Sequence, residues 1–291
     1  MDYREFGTTG MRLSAVGLGG LLAHFWEGAA GHPPAEEKRR IYLRAAELGI
    51  NLFDMGYGDE PHIPDELKGP SDDRHFSLKV GEPKVDELEG TIDGHLANIR
   101  REAIDILRVH HYAFVQSEEL RGKVAELKDR GKVRSLCTIR HFEKDQEIYL
   151  ERGPEEEADA DLVIYNYVCR WQAPGIERSA RTGKGVLIMK ALGGQWLNWA
   201  DQAQADWAQA DAEQVIELAP KGEGLRPELP LIYPIVKGPW QELCEPGEAV
   251  PRTNKAIDWV LATEGVHTAL VAFASVEELE EGLGVLAGVA G

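Results

Sequence analysis

Asp54, Tyr57, Lys79 and His110 offer a carboxylate, a phenol, an ammonium and an imidazole, and each falls at or just past the C-terminal end of an expected β-strand. A phenol with a pKa of ~10 is a poor acid–base catalyst at neutral pH unless a nearby cation stabilises its phenolate. Lys79 is the side chain expected to supply that cation. A second grouping, Cys137, Cys169, His110 and His141, also follows expected strands and offers soft metal ligands, but chance placement accounts for it better. No metal is expected.

The elements that must hold these side chains announce themselves by a repeated junction, in which an amphipathic helix ends at glycine and a short β-branched run follows. Gly49 precedes Ile50-Asn51-Leu52-Phe53, Gly131 precedes Val133-Arg134-Ser135-Leu136, Gly183 and Gly185 lead into Val186-Leu187-Ile188-Met189, and Gly265 leads into Val266–Val271. Glycine supplies the left-handed cap that ends each helix. Leu88, Ile92, Leu96 and Ile99 share one helical stripe, as do Leu120, Val124 and Leu127, and then Ala256 and Val260 with Ile257 and Leu261 beside them. Further runs at Ala15–Gly19, Phe76–Val80, Ile104–His110 and Leu162–Tyr165 bring the strands to about eight. Regular βα alternation of this extent predicts one closed (β/α)8 TIM barrel over residues 1–291.

Two segments interrupt the alternation. Tyr3–Leu13, centred on Gly7-Thr8-Thr9-Gly10, reads as an N-terminal β-hairpin. Residues 195–251 form a long insertion after strand 7, rich in Trp (Trp196, Trp199, Trp207) and then in Pro, and are expected to act as a lid. Phe25 and Trp26 are candidates for an aromatic wall beside it.

Composition narrows the partners. The 291 residues are 43% hydrophobic and 28% charged, enough for a sizeable core, and the net charge of −18 argues against nucleic acid or an anionic membrane as partner. The N-terminus lacks the basic start and apolar stretch of a secretory signal, and no apolar run approaches the ~18 residues of a membrane span, so the expected location is cytoplasmic. Three cysteines without CxxC spacing signal neither a disulfide framework nor a zinc knuckle.

Several linked motifs resemble the aldo-keto reductase family. Tyr3–Gly20 is similar to that family's hairpin and first strand, Gly49–Asp54 to its second strand, Leu96–His110 to its third helix and fourth strand, and Gly131–Arg134 to its fifth strand. The resemblance implies that Asp54, Tyr57, Lys79 and His110 are a catalytic tetrad. Tyr57 would protonate the developing alkoxide, Asp54 would pair with Lys79, and His110 would orient the substrate oxygen. Of His110 and His111 only one can point into the barrel, and the five-residue spacing from Asp105 favours His110. Asp54 and Tyr57 are three residues apart, against five in the family, which shortens the loop that carries the phenol.

The same resemblance implies hydride transfer between NAD(P)H and an aldehyde or ketone, on a small carbonyl or sugar-like substrate. The positions matching the dinucleotide-binding stretches are Asn166, Lys190, Leu192, Ala272, Ala274, Ser275 and Glu278. Departures cluster here. Where the family has a Ser-Asn pair for the nicotinamide carboxamide, this chain has Ile139 and Arg140, and Ile139 has no polar side-chain atom. Glu278 stands where an Arg commonly holds the adenosine 2′-phosphate, which weakens the NADPH site, while Ser275 and Glu278 form a capping box for the last helix. Lys190 remains as a basic contact for a pyrophosphate. The alternative is an enzyme that has lost the nicotinamide and performs cofactor-free acid–base chemistry, as a lyase, dehydratase or isomerase; a non-catalytic binding subunit is a third reading.

Overall fold

The computed structural model describes residues 1–20, 33–58, 60–167, 169–193, 238–248 and 251–285. Eight parallel strands close a barrel in chain order, the last pairing with the first. They are β3 (Val16–Leu18), β4 (Leu52–Met55), β5 (His75–Gly81), β6 (Ile104–His110), β7 (Val133–Arg140), β8 (Ala160–Ile164), β9 (Gly185–Met189) and β10 (Thr268–Val271). The expected (β/α)8 TIM barrel is present.

Period-two alternation sorts the side chains into two cores. Leu52, Ile106, Cys137, Ile139, Ala160, Leu162, Leu187 and Leu270 fill the inside of the barrel. Their strand neighbours Phe53, Phe76, Leu78, Leu107, Val109, Val163, Val186 and Ile188 face outward onto the helices. Helix α2 (Val85–Ile99) buries Leu88, Ile92, Leu96 and Ile99 against that outer surface, and α4 (Glu118–Asp129) buries Leu120, Val124 and Leu127. Both stripes are the ones the sequence pattern predicts. The other described helices are α1 (Ala35–Glu47), α3 (His111–Gln116), α5 (Glu143–Arg152), α6 (Ala173–Arg181), α7 (Thr253–Leu261) and α8 (Val276–Gly282). None of the described helices is long and apolar enough to cross a membrane.

The N-terminal hairpin pairs β1 (Tyr3–Glu5) with β2 (Arg12–Ser14) and closes one end of the barrel. Phe6, Met11 and Leu13 join the inner core, and a Cβ on Gly185 would run into the Phe6 ring, so that glycine leaves room for the plug. Chemistry is therefore confined to the opposite end, where the strand C-termini emerge. Most of the 195–251 insertion, with Trp196, Trp199 and Trp207, lies outside the described residues, as do Phe25 and Trp26. Within its described part Trp240 is fully buried and faces Tyr167 at 6.2 Å between rings.

Candidate active site

Strand alternation places the catalytic candidates. Leu52 points into the barrel, so Asp54 does too; Ile106 points in, so Arg108 and His110 follow it. Lys79 pairs in register with Arg108, directly across β5 and β6. His110 is thus the inward histidine. His111 leaves the barrel at the start of α3, where its Nδ1 meets Asp145 Oδ1 at 2.9 Å and its Nε2 meets Glu155 Oε2 at 3.2 Å.

Tyr57 reaches the same space despite the short loop. Gly56 and Gly58 flank it with φ of +94° and +86°, a left-handed conformation on both sides that tightens the turn and swings the phenol back over the barrel mouth. Its ring rests on Gly20, where a side chain would collide with it, and the Lys79 ammonium lies 5.0 Å from the ring centre.

The pairing inside this cluster corrects the expectation from the sequence. Asp54 is ion-paired with Arg108 rather than with Lys79, and Arg108 Nη1 also donates to the Tyr57 hydroxyl at 3.4 Å. Arg108 lies next to Lys79 in the register and its planar guanidinium reaches the carboxylate and the phenol together, which a single ammonium does less well. Burial pushes the Asp54 carboxyl up to about 6 even though Arg108 and backbone N–H groups of Gly20 and Met55 favour its charge. Burial, and then Arg108, lower the Lys79 ammonium, against the pull of Asp54. The cation touching the phenol oxygen is therefore Arg108, and Lys79 faces the ring.

The two mouth histidines are held neutral. Burial and the neighbouring Lys79 push the His110 imidazole down to about 4, and burial with Lys190 pushes His141 down to about 2. His110 packs on Phe142 at 4.9 Å and on His141 at 6.2 Å between rings, and its Nδ1 is buried without a hydrogen-bond partner. A base with a depressed folded pKa stabilises the fold above its unfolded value of 6.5, and that stability is lost as pH falls toward 4. Asp54 works in the opposite sense, since its contribution is present below 3.8 and is lost as pH rises through 6. With two imidazoles set against one carboxyl, the urea midpoint is expected to fall between about pH 7 and about pH 5. A midpoint that rose on acidification would contradict these protonation states.

The residues matched to the dinucleotide are placed as follows. Asn166 is fully buried, its Oδ1 accepting from Cys169 N at 2.8 Å and its Nδ2 donating to Lys190 O at 3.0 Å. The Leu192 side chain is buried in the outer core. Ile139 points inward as an apolar core residue. Arg140 points outward, buried against Asp161 at 2.7 Å and over the Tyr149 ring, which makes it a structural residue. After β10, Ala272 is half-buried and Ala274-Ser275 lead into α8. There Ser275 Oγ accepts from Glu278 N at 3.1 Å, the first half of the capping box the sequence predicts, while Glu278 Oε2 accepts from the N–H one residue before the cap, Ala274 N, at 2.7 Å. Glu37 Oε1, from α1, takes Val276 N at 3.0 Å. Two amides at this helix start, those of Ala274 and Val276, are already bonded to carboxylates, and that of Glu278 to the Ser275 hydroxyl. No group of three or more His, Cys, Asp or Glu able to hold a metal occurs among the described residues.

A family model for the aldo/keto reductase family matches residues 16–289. The chain belongs to the aldo/keto reductase family. Among characterised relatives it is 25% identical to an L-galactose dehydrogenase from Arabidopsis thaliana, over 97% of this chain and 86% of that protein. Solved structures share the fold. A Pseudomonas aeruginosa protein solved as a candidate aldo-keto reductase aligns with a TM-score of 0.64 and 21% identity over 97% of this chain and 93% of the other. An aldo-keto reductase from Bacillus halodurans in its holo form aligns with a TM-score of 0.65 and 18% identity over 97% and 89%.

Family membership makes this chain an oxidoreductase in general terms, and the family acts on small carbonyl substrates with nicotinamide dinucleotides. Two participants were missed from sequence: Arg108, and Gly20 beneath the phenol. The strand pattern holds a signal for the first, since any register that turns His110 inward turns Arg108 inward as well.

Proposed function

We propose that this protein is a reductase or dehydrogenase that interconverts an aldehyde or ketone with its alcohol, using NAD(H) in preference to NADP(H). The observation that carries the reading is the Tyr57 hydroxyl set against the Arg108–Asp54 pair, with Lys79 and His110 beside it, at the one end of the barrel that the hairpin leaves open. A bound nicotinamide dinucleotide supplies or accepts the hydride. Tyr57 gives its proton to the carbonyl oxygen, and the adjacent guanidinium stabilises the phenolate left behind. Neutral His110 donates one N–H to the same oxygen and fixes its direction without competing as an acid.

The groups present fit the two dinucleotides unequally. Glu278 and Ser275 at the start of α8 can accept hydrogen bonds from ribose hydroxyls, whereas the carboxylates of Glu278 and Glu37 repel a 2′-phosphate. The similarity to an L-galactose dehydrogenase over nearly the whole chain favours a sugar-like alcohol or aldehyde as substrate. The test is oxidation of a panel of aldoses, L-galactose among them, with NAD+ and with NADP+. We expect NAD+ to be favoured by about tenfold or more in kcat/KM, and Glu278→Gln, which keeps an acceptor for Ala274 N, to narrow that ratio. A preference for NADP+ would overturn the cofactor assignment.

A second reading has its own support. Ile139, the engaged amide of Asn166 and the carboxylate-filled α8 start all depart from a nicotinamide clamp, while the acid–base cluster is complete. Under that reading turnover would proceed with no dinucleotide present.

A further inference from the structure

Two ammonium groups at the mouth of the barrel lack a carboxylate partner among the described residues. Arg108 is matched by Asp54, but among the described residues no carboxylate lies within ion-pairing distance of Lys79 or of Lys190. Among the described residues Lys190 Nζ has one partner, the Nε2 of neutral His141 at 3.1 Å. This occurs in a chain with a net charge of −18, where surface lysines such as Lys123 and Lys132 each meet two carboxylates.

Lys190 is also held in a costly backbone conformation. Its φ of +59° is left-handed, and Arg100 at the end of α2 is the other non-glycine residue among those described with positive φ. The conformation is pinned by two bonds to the Lys190 carbonyl, from Asn166 Nδ2 at 3.0 Å and from Gly193 N at 3.0 Å. Strain kept in place by neighbouring bonds is found where a side chain has to be presented in one direction. Here it fixes a half-buried ammonium across the end of β8, from the end of β9 to the residue that follows β7. His141 in turn sits 6.2 Å from His110 between rings, and the buried Nδ1 of His110 has no partner. A desolvated cation in this setting is stabilised by an anion brought to it.

We propose that Lys190, its ammonium oriented by donation to the His141 Nε2, forms an oxyanion subsite that takes the carboxylate of the substrate, while the reacting carbonyl or alcohol lies at Tyr57 and His110. The substrate class is a short oxo acid or sugar acid. The subsite's place in the reaction rests on the oxidoreductase reading; its binding of a carboxylate does not. A dinucleotide pyrophosphate would offer the same chemistry, but the ammonium is tied to the histidine that packs on His110, on the side where the reacting oxygen is held.

The test compares succinic semialdehyde with butanal as substrates, and measures binding of succinate, succinamide and NADH by calorimetry, in the native protein, Lys190→Met and Lys190→Arg. In the native protein the acid is expected to exceed butanal about tenfold or more in kcat/KM, and succinate to bind where neutral succinamide does not. Lys190→Met should collapse both preferences and Lys190→Arg should restore part of them. Equal succinate affinity in native protein and Lys190→Met would overturn the subsite. So would a Lys190→Met protein that keeps the acid preference but loses NADH affinity, which would hand the ammonium to the pyrophosphate. Lys190-dependent succinate binding without any dinucleotide-dependent turnover would uphold the subsite and reject the oxidoreductase reading. If Lys190→Met fails to fold, His141→Leu, which removes the acceptor that orients the ammonium, carries the same comparison.

Discussion

Tyr57→Phe is expected to lower turnover by about a hundredfold to ten-thousandfold, the range for loss of a positioned proton donor. The substitution keeps the ring that packs on Gly20 and lies beneath the Lys79 ammonium, and deletes the oxygen that Arg108 contacts. Folding and dinucleotide affinity should therefore stay within about twofold of native values, so that the loss falls on kcat rather than on binding. Steady-state kinetics with a dinucleotide titration on the same preparation separate the two. A variant that kept more than about a tenth of the native kcat would move the proton to another group.

Arg108→Leu should be damaging in two ways. It leaves the Asp54 carboxylate buried without its cation, for which a cost of about 3–5 kcal/mol is usual, and it removes the charge that stabilises the Tyr57 phenolate. A double change of Arg108→Leu with Asp54→Leu distinguishes these effects. Replacing both partners by apolar groups is often nearly neutral, so stability should largely return while activity should not. Urea unfolding and turnover of the three proteins make the comparison. A single variant destabilised by less than about 1 kcal/mol would mean that Asp54 is neutral in the fold and that the pair is not the cluster's support.

How far these features could be read in advance differs from element to element, for physical reasons. The barrel was legible because burial on both faces makes its strands short, largely apolar runs that recur between helices, and burial on one side imposes the stripes of α2 and α4. The plugging hairpin and the Ser275–Glu278 cap were legible because each is a local contact among residues close in sequence. Tyr57 was harder to place. Its direction depends on positive φ at Gly56 and Gly58, and a shorter loop can aim a side chain as well as a longer one when glycine sits on both sides. The exchange of Lys79 for Arg108 as partner of Asp54 was not legible as a pairing, because which of two adjacent cations wins is decided by reach and fork geometry across two strands. The closing of the α8 start by Glu37 likewise depends on a residue 239 positions away.

The proposed activity requires a nicotinamide dinucleotide to reach the mouth that Tyr57, Arg108, Lys79 and His110 line. The most direct test is equilibrium titration of freshly purified protein with NADH, followed by tryptophan fluorescence and checked by calorimetry. Saturable binding in the micromolar range, with NADPH weaker, is the predicted result. An absence of binding up to millimolar NADH, in protein shown to be folded, would contradict it and leave the acid–base cluster to redox-neutral chemistry.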